Sequence, residues 1–335
     1  MTYDTIRLEK GMYAQPGGFT AALERLDPSA NYAGTELQGL DAFQRQLKRF
    51  DIKVGGAASD VVEKFFRTTD SAALFPEYVS RAVRSGLEQA NHLPDVVATV
   101  TKIDGMDYRT ITSVPDQDHK SLMEVGEGAV IPQTAVQTQE NLVRLHKRGR
   151  MLVASYEALK FQRLDLFTVT LRQIGAYIAR QQFKDAVDVL INGDGNDNAA
   201  DQVALAESGK FTYADVLNLW NAFEEYELNT LVASPDIMLK LLQMEQFQNP
   251  LTGLNVQGTG KLSSPLGAKL IRSSDLPEGT LIGLDRHCAL EMVVASDVAV
   301  DYDRLIDRQL ERAAVTTTAG FAKIFADACK VVEED

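Results

Sequence analysis

LDLFTVTLRQIGAYIARQQFKDAVDVLIN, residues 164–192, is the stretch on which the architecture turns. Phe167, Leu171, Ile174 and Ile178 recur three and four residues apart, so on a helix they share one face. Further along, the apolar side drifts towards Phe183, Val187 and Leu190, and Gly193 offers a natural stop just past the last turn. At 1.5 Å per residue the helix predicted over 164–192 is about 40 Å long.

Working upstream, Asn141–Val153 alternates instead. Arg144, His146, Arg148 and Arg150 fall on one side, and Val143, Leu145, Met151 and Val153 on the other, which is strand periodicity. Before it, Val96–Ile103 and Met106–Val114 flank Asp104-Gly105, and that pair predicts a hairpin closed by a type I′ turn. The segment from Pro115 to Gln139 is polar and lacks a helical period. It holds Gly126, Gly128 and Pro132 and is acidic at Asp116, Asp118, Glu124 and Glu127. Pro76 opens a helix with Val79, Val83 and Leu87 on one stripe, and another is predicted from Ser59 through Val61, Val62, Phe65 and Phe66. Residues 1–58 read as an arm of short amphipathic helices at Phe19–Leu26 and Leu37–Phe50, separated by turn chemistry at Asp27-Pro28-Ser29 and Ala33-Gly34.

Downstream, Thr212 and Asp215 form a capping pair for a helix carrying Val216, Leu219, Trp220 and Phe223. Thr230–Ala233 reads as a buried strand, Ser234-Pro235 as the start of a helix over 236–243, and Asn249–Gly267 as a Gly- and Ser-rich loop. Short strands are predicted at 269–271, 281–284, 290–294, 298–302 and 321–325. The mixture is α+β.

The 335 residues correspond to about two domains. Apolar residues make up 45% and charged residues 24%, ordinary for a globular chain. The net charge of −13 excludes a general DNA-groove binder, which needs a positive field to release counterions. Cys288 and Cys329 show no CxxC or His spacing, so they build no disulfide framework or zinc site. The N-terminus has no apolar secretory core, and no run reaches the roughly 18 apolar residues of a membrane span.

Motifs for chemistry fail on mechanism. The run Gln257–Leu262 suggests a phosphate loop, but Asn255 stands where the first glycine belongs and Leu262 replaces the Mg²⁺-binding Ser or Thr. Asp194–Asn198 opens like a calcium loop, yet Ala199 and Leu205 stand where Gly and a bidentate Glu are required. His92, His119, His146 and His287 are scattered. No catalytic, cofactor or metal residues are assigned. The basic run is different, because it opposes the sign of the chain. Arg144, His146, Lys147, Arg148 and Arg150, opposite an acidic tip with Glu124 and Glu127, are expected to dock against another subunit.

Several of these stretches resemble tailed-phage major capsid proteins of the Hong Kong 97 type fold. Asp41–Phe50 and Ser71–Val79 are similar to the N-terminal regions of that family, and 96–153, with EVGEGAVIP at 124–132, to its extended loop. The 164–192 helix sits where the family has its spine helix, and AGFAKIFADA at 319–328 is similar to its closing strand. The resemblance covers nearly the whole chain and lies in the order of elements. It implies an N-terminal arm with short helices (1–94), an extended β-hairpin loop (95–154), a peripheral domain with the spine helix (155–210 and 296–335) and a central axial domain (211–295). It further implies a non-enzymatic virion subunit without cofactors, assembled in the host cytoplasm into hexamers and pentamers of an icosahedral or prolate shell. Packaged double-stranded DNA would lie against it, with portal, scaffolding or decoration proteins as further partners and no membrane. The short first segment is expected to carry no removable scaffold, and Lys120 lies in the loop without a motif for cross-linking. An encapsulin-type nanocompartment shell and a soluble cytoplasmic enzyme are the alternatives.

Overall fold

The computed structural model describes residues 3–114, 124, 127, 135–252, 264–305, 307 and 310–334. In chain order the helices are α1 (Gly18–Leu26), α2 (Ala42–Arg49), α3 (Thr69–Ala72), α4 (Phe75–Gln89), α5 (Tyr156–Phe161), α6 (Leu164–Asn192), α7 (Tyr213–Asn221), α8 (Pro235–Gln243) and α9 (Glu245–Gln248). The strands are β1 (Thr99–Lys102), β2 (Ile111–Val114), β3 (Ala135–Thr138), β4 (Leu145–Ser155), β5 (Asp201–Gln202), β6 (Thr230–Ala233), β7 (Lys269–Arg272), β8 (Thr280–Leu284), β9 (Leu290–Leu305), β10 (Leu310–Lys323) and β11 (Cys329–Glu333). The chain forms two compact units. The first comprises Met1–Ala90, Lys147–Ala179 and Ser296–Thr317; the second comprises Asn91–His146, Arg180–Ala295 and Thr318–Asp335. α6 supplies residues to both.

Unit 1 is built on apolar faces that the sequence spaces at helical period. Val79 and Val83 of α4 and Leu171, Ile174 and Ile178 of α6 share a core with Val298 and Val315 from the sheet. Phe65, Phe75, Tyr78 and Phe167 meet edge-on, tilted or stacked in that core, with centroids 5.3–6.4 Å apart. The short N-terminal helices are not loose: Phe19, Leu23, Phe43 and Leu47 are buried in the same core. A fully buried arginine fastens them. Arg45 donates to Asp27 Oδ2 at 2.7 Å, to Ser29 Oγ at 3.0 Å and to the Leu40 carbonyl at 2.6 Å, and its guanidinium lies 4.3 Å from the Tyr32 ring. A capping box at Asp41 and Gln44 fixes the start of α2.

Unit 2 is organised by a five-stranded sheet in the order β5-β11-β8-β6-β7. β6 and β8 are buried throughout, because alternate residues feed two cores. Val232, Ile282 and Val331 pack with Phe183, Val187 and Leu190 of α6. Leu231, Leu281 and Val332 pack with Val216 and Leu219 of α7 and Ile237 and Met238 of α8. With both faces covered, the strands read as continuous apolar runs. The Thr212–Asp215 capping box opens α7 as the sequence predicts.

Several expectations are corrected. The hairpin closed at Asp104-Gly105 does not form, and Gly105 lacks the positive φ that a type I′ turn needs. β1 pairs in parallel with Glu291–Val294 of β9, and β2 pairs antiparallel with β3. The buried carboxylate of Glu291 draws the segment away from self-pairing, accepting hydrogen bonds from the hydroxyls of Thr101, Tyr108 and Thr110. The turn signal is local, and three hydroxyl bonds to one buried carboxylate outweigh it. The helix predicted from Ser59 is only a 3₁₀ segment over Val62–Phe66, since a new capping box at Thr68 restarts the chain. The predicted strands 290–294 and 298–302 are one strand, β9. The stretch 319–328 contains the end of β10 and a turn, and the chain closes with β11, which pairs with β8. Most of Pro115–Gln139, including Lys120, and the Gln257–Leu262 loop with Asn255 lie outside the described residues.

Candidate subunit interface

The basic run lies on and just before β4, one of the two outer strands of a four-stranded sheet ordered β1-β9-β10-β4. Arg144, Lys147 and Arg150 are exposed, while His146 and Arg148 are half-buried. The Arg150 guanidinium sits 5.6 Å from the Tyr177 ring of α6, a cation–π placement that holds the side chain without neutralising it. Lys147, Arg148 and Arg150 follow one another along β4, and Arg144 stands just before its first residue. Glu124 and Glu127 are exposed and belong to no strand of that sheet.

The alternation predicted for this strand breaks in its second half. Leu152 and Ala154 pack on the core of unit 1, whereas Met151 and Val153 are 55% and 53% exposed, contrary to expectation. Gly149 is required here, because a Cβ would lie 2.6 Å from the Val315 carbonyl oxygen of β10. Further apolar exposure lies on α5 and α6, at Phe161 (76%), Leu166 (60%) and Val169 (56%). Sequence reasoning passed over these residues. The available signal was that α6 carries apolar side chains outside its Leu171–Ile174–Ile178 stripe, more than burial against one core requires.

Unit 1 contains cavities lined in part by polar side chains. One of about 530 Å³ is lined by Thr20, Glu77, Arg81 and Arg84 among others. There Thr20 donates to Glu77 at 2.6 Å, and Arg81 bonds Glu77 at 2.9 Å and Asp41 at 2.6 Å. These bonds join α1, α2 and α4. In β10, burial pushes the Glu311 carboxyl up to about 7. In unit 2, burial pushes the Cys329 thiol up to about 11, and burial together with Asp285 raises Cys288; neither thiol has the depressed value of a nucleophile. The polar groups of the Asp194–Asn198 turn bond within it, Asp194 Oδ1 accepting from Asn196 and Asn198 Oδ1 from the Asp194 amide, and outside it, Asn196 Nδ2 donating to Gln139 and Asp194 Oδ2 accepting from the Lys323 amide. Among the described residues no group of acids, histidines and cysteines could hold a metal, and no helix is long and apolar enough to cross a membrane.

A basic outer strand and exposed apolar side chains on β4, α5 and α6 are surface features of the kind that contact other chains. Comparison with known proteins agrees. Residues 138–324 match the family described as phage capsid protein. A virus-like particle from Pyrococcus furiosus is similar in fold, with 15% identity and a TM-score of 0.51 over 77% of this chain and 99% of that one. The capsid of a native GTA particle aligns at 16% identity and a TM-score of 0.55, over 72% of this chain and 90% of that one. The capsid of cyanophage P-SCSP1u aligns at 14% identity and 0.55, over 73% and 88%. No curated protein matches the sequence. The chain belongs to the phage capsid protein family. Its fold is of the Hong Kong 97 type, and it is a structural, non-enzymatic capsid subunit.

Proposed function

We propose that copies of this chain associate into hexamers and pentamers that close an icosahedral or prolate shell around double-stranded DNA, assembling in the host cytoplasm. The observation that carries the reading is the family match over 138–324 on a fold shared with capsid chains. In this reading 1–94 is the arm, 95–154 the extended loop, 155–210 with 296–335 the peripheral domain and 211–295 the axial domain. Arg144, His146, Lys147, Arg148 and Arg150 contact neighbouring copies, as do Glu124 and Glu127 at the loop. The DNA is held by enclosure, since a net charge of −13 disfavours tight phosphate binding. Portal, scaffolding or decoration proteins are further partners in this reading.

Replacing 116–133 by a short Gly-Ser turn, which leaves the β2–β3 pair in place, tests the assignment. The segment is polar and Gly- and Pro-containing, so its removal takes little apolar area from the chain. The shortened subunit is expected to keep its circular dichroism and melting temperature and to form no closed particles by electron microscopy. Normal particles from the shortened chain would remove the loop from the interface, and unfolding would assign it to the core.

A further inference from the structure

The sheet that serves unit 1 ends in two edges of opposite charge. β4 is an outer strand. β1 reaches only Glu291–Val294 of β9, so from Ser296 onwards β9 has no strand beyond it among the described residues. The β4 edge carries Lys147, Arg148 and Arg150, with Lys147 and Arg150 exposed. The β9 edge carries Asp297, Asp301 and Asp303, all exposed. Between them runs β10, whose Ala313, Ala314, Thr316 and Thr317 are small. Two strand spacings put the edges about 10 Å apart, close to the Debye length of about 10 Å in 0.1 M salt. Within one copy the two edges therefore do little to neutralise each other. Partial internal pairing exists: Arg312 meets Asp303 at 2.6 Å, and Arg84 lies 3.9 Å from Asp297. Asp297 and Asp303 nevertheless keep 64% and 62% of their side chains exposed.

We propose that the basic β4 edge of one copy docks against the acidic β9 edge of a second copy, head to tail. This rests on the reading of the basic run as a contact between copies and adds the surface that receives it. The two edges are different surfaces, so the contact is heterologous. Each added copy leaves one edge of each sign free, and the chain of contacts ends only when a ring closes. Opposite potentials also set the order of association: two acidic or two basic edges repel, while unlike edges attract and fix the register. The cations on β4 protect that edge from indiscriminate strand pairing, so they exclude uncharged partners while admitting an acidic one.

The test is a charge-reversal complementation on the full chain. One variant carries Lys147→Glu and Arg150→Glu; the other carries Asp297→Lys and Asp301→Lys. Each alone is expected to lower particle yield by about tenfold or more in low salt while keeping its circular dichroism, because every contact then joins like charges. A chain carrying all four substitutions, in which the signs of both edges are exchanged, is expected to assemble again, since unlike edges then meet in rings of any size. A four-substitution chain that stays inert, or a β9 variant that assembles normally, overturns the pairing and leaves the basic run as an interface to some other surface. A β4 variant that assembles normally overturns both readings. As a second measurement, the neutral variants Lys147→Gln with Arg150→Gln and Asp297→Asn with Asp301→Asn are each expected to flatten the salt dependence of assembly. An unchanged salt slope in either overturns the proposal.

Discussion

Replacing Gly175 by alanine is expected to destabilise unit 1, although alanine is the better helix former. α4 and α6 cross at reciprocal glycines. A Cβ on Gly175 would lie 1.9 Å from the Val83 carbonyl oxygen and 2.6 Å from the Leu87 amide nitrogen, and a Cβ on Gly86 would lie 1.9 Å from the Arg172 carbonyl oxygen. These obstacles are backbone atoms and cannot rotate away. Ordinary contact needs about 3.5 Å, so the helices must part by about 1.5 Å. That gap opens in the core where Val79, Val83, Leu171, Ile174 and Ile178 are buried, and a gap of 0.5–1 Å already forfeits a quarter to a half of a dispersion contact. Overpacking of this kind costs roughly 3 kcal/mol. The gain in helix propensity returns about 1 kcal/mol, leaving a net loss of about 2 kcal/mol or more. Urea unfolding of the unassembled subunit, followed by circular dichroism, measures it. Gly86→Ala should cost a similar amount, and the double variant less than the sum, because helices already parted by one methyl admit the second. A Gly175→Ala subunit as stable as the parent, or stabilised by about 1 kcal/mol as propensity alone dictates, would refute the close crossing.

Arg45→Met should lower stability by about 3–5 kcal/mol in the same assay, since it leaves the Asp27 carboxylate buried without its cation. The double variant with Asp27→Asn should recover part of the loss, and equal losses in single and double variants would count against the buried pair. Glu311 gives a pH dependence: its carboxyl is raised from 4.5 to about 7 by burial, so the folded state holds a proton that the unfolded state releases. Its contribution is complete below pH 4.5 and is lost as pH rises through 7, about 3 kcal/mol in all. Glu311→Gln should abolish that slope, and a parent whose stability is level from pH 5 to 7 would show that the carboxyl is not desolvated.

The helices were legible in the chain because their hydrogen bonds close within four residues. The period of 164–192, the Pro76 start and the Thr212–Asp215 box are all local, and each element formed as read. The acid excess and the opposing run from Arg144 to Arg150 needed only the residues themselves. Strand partnership was different, since a strand's hydrogen bonds go to whichever edge the tertiary fold brings alongside. Asp104-Gly105 signalled a hairpin, yet Thr99–Lys102 joined Glu291–Val294, some 190 residues away, where the Glu291 carboxylate collects three hydroxyls. The same nonlocality hid β10 and β11: Ala313, Ala314, Ala319 and Ala322 carry little strand propensity, and the place between β9 and β4 makes them a strand. Composition and period thus determined the helices and the sign of the surface. Only the tertiary structure decided which strands are outer ones, and with that which charges lie along an open edge.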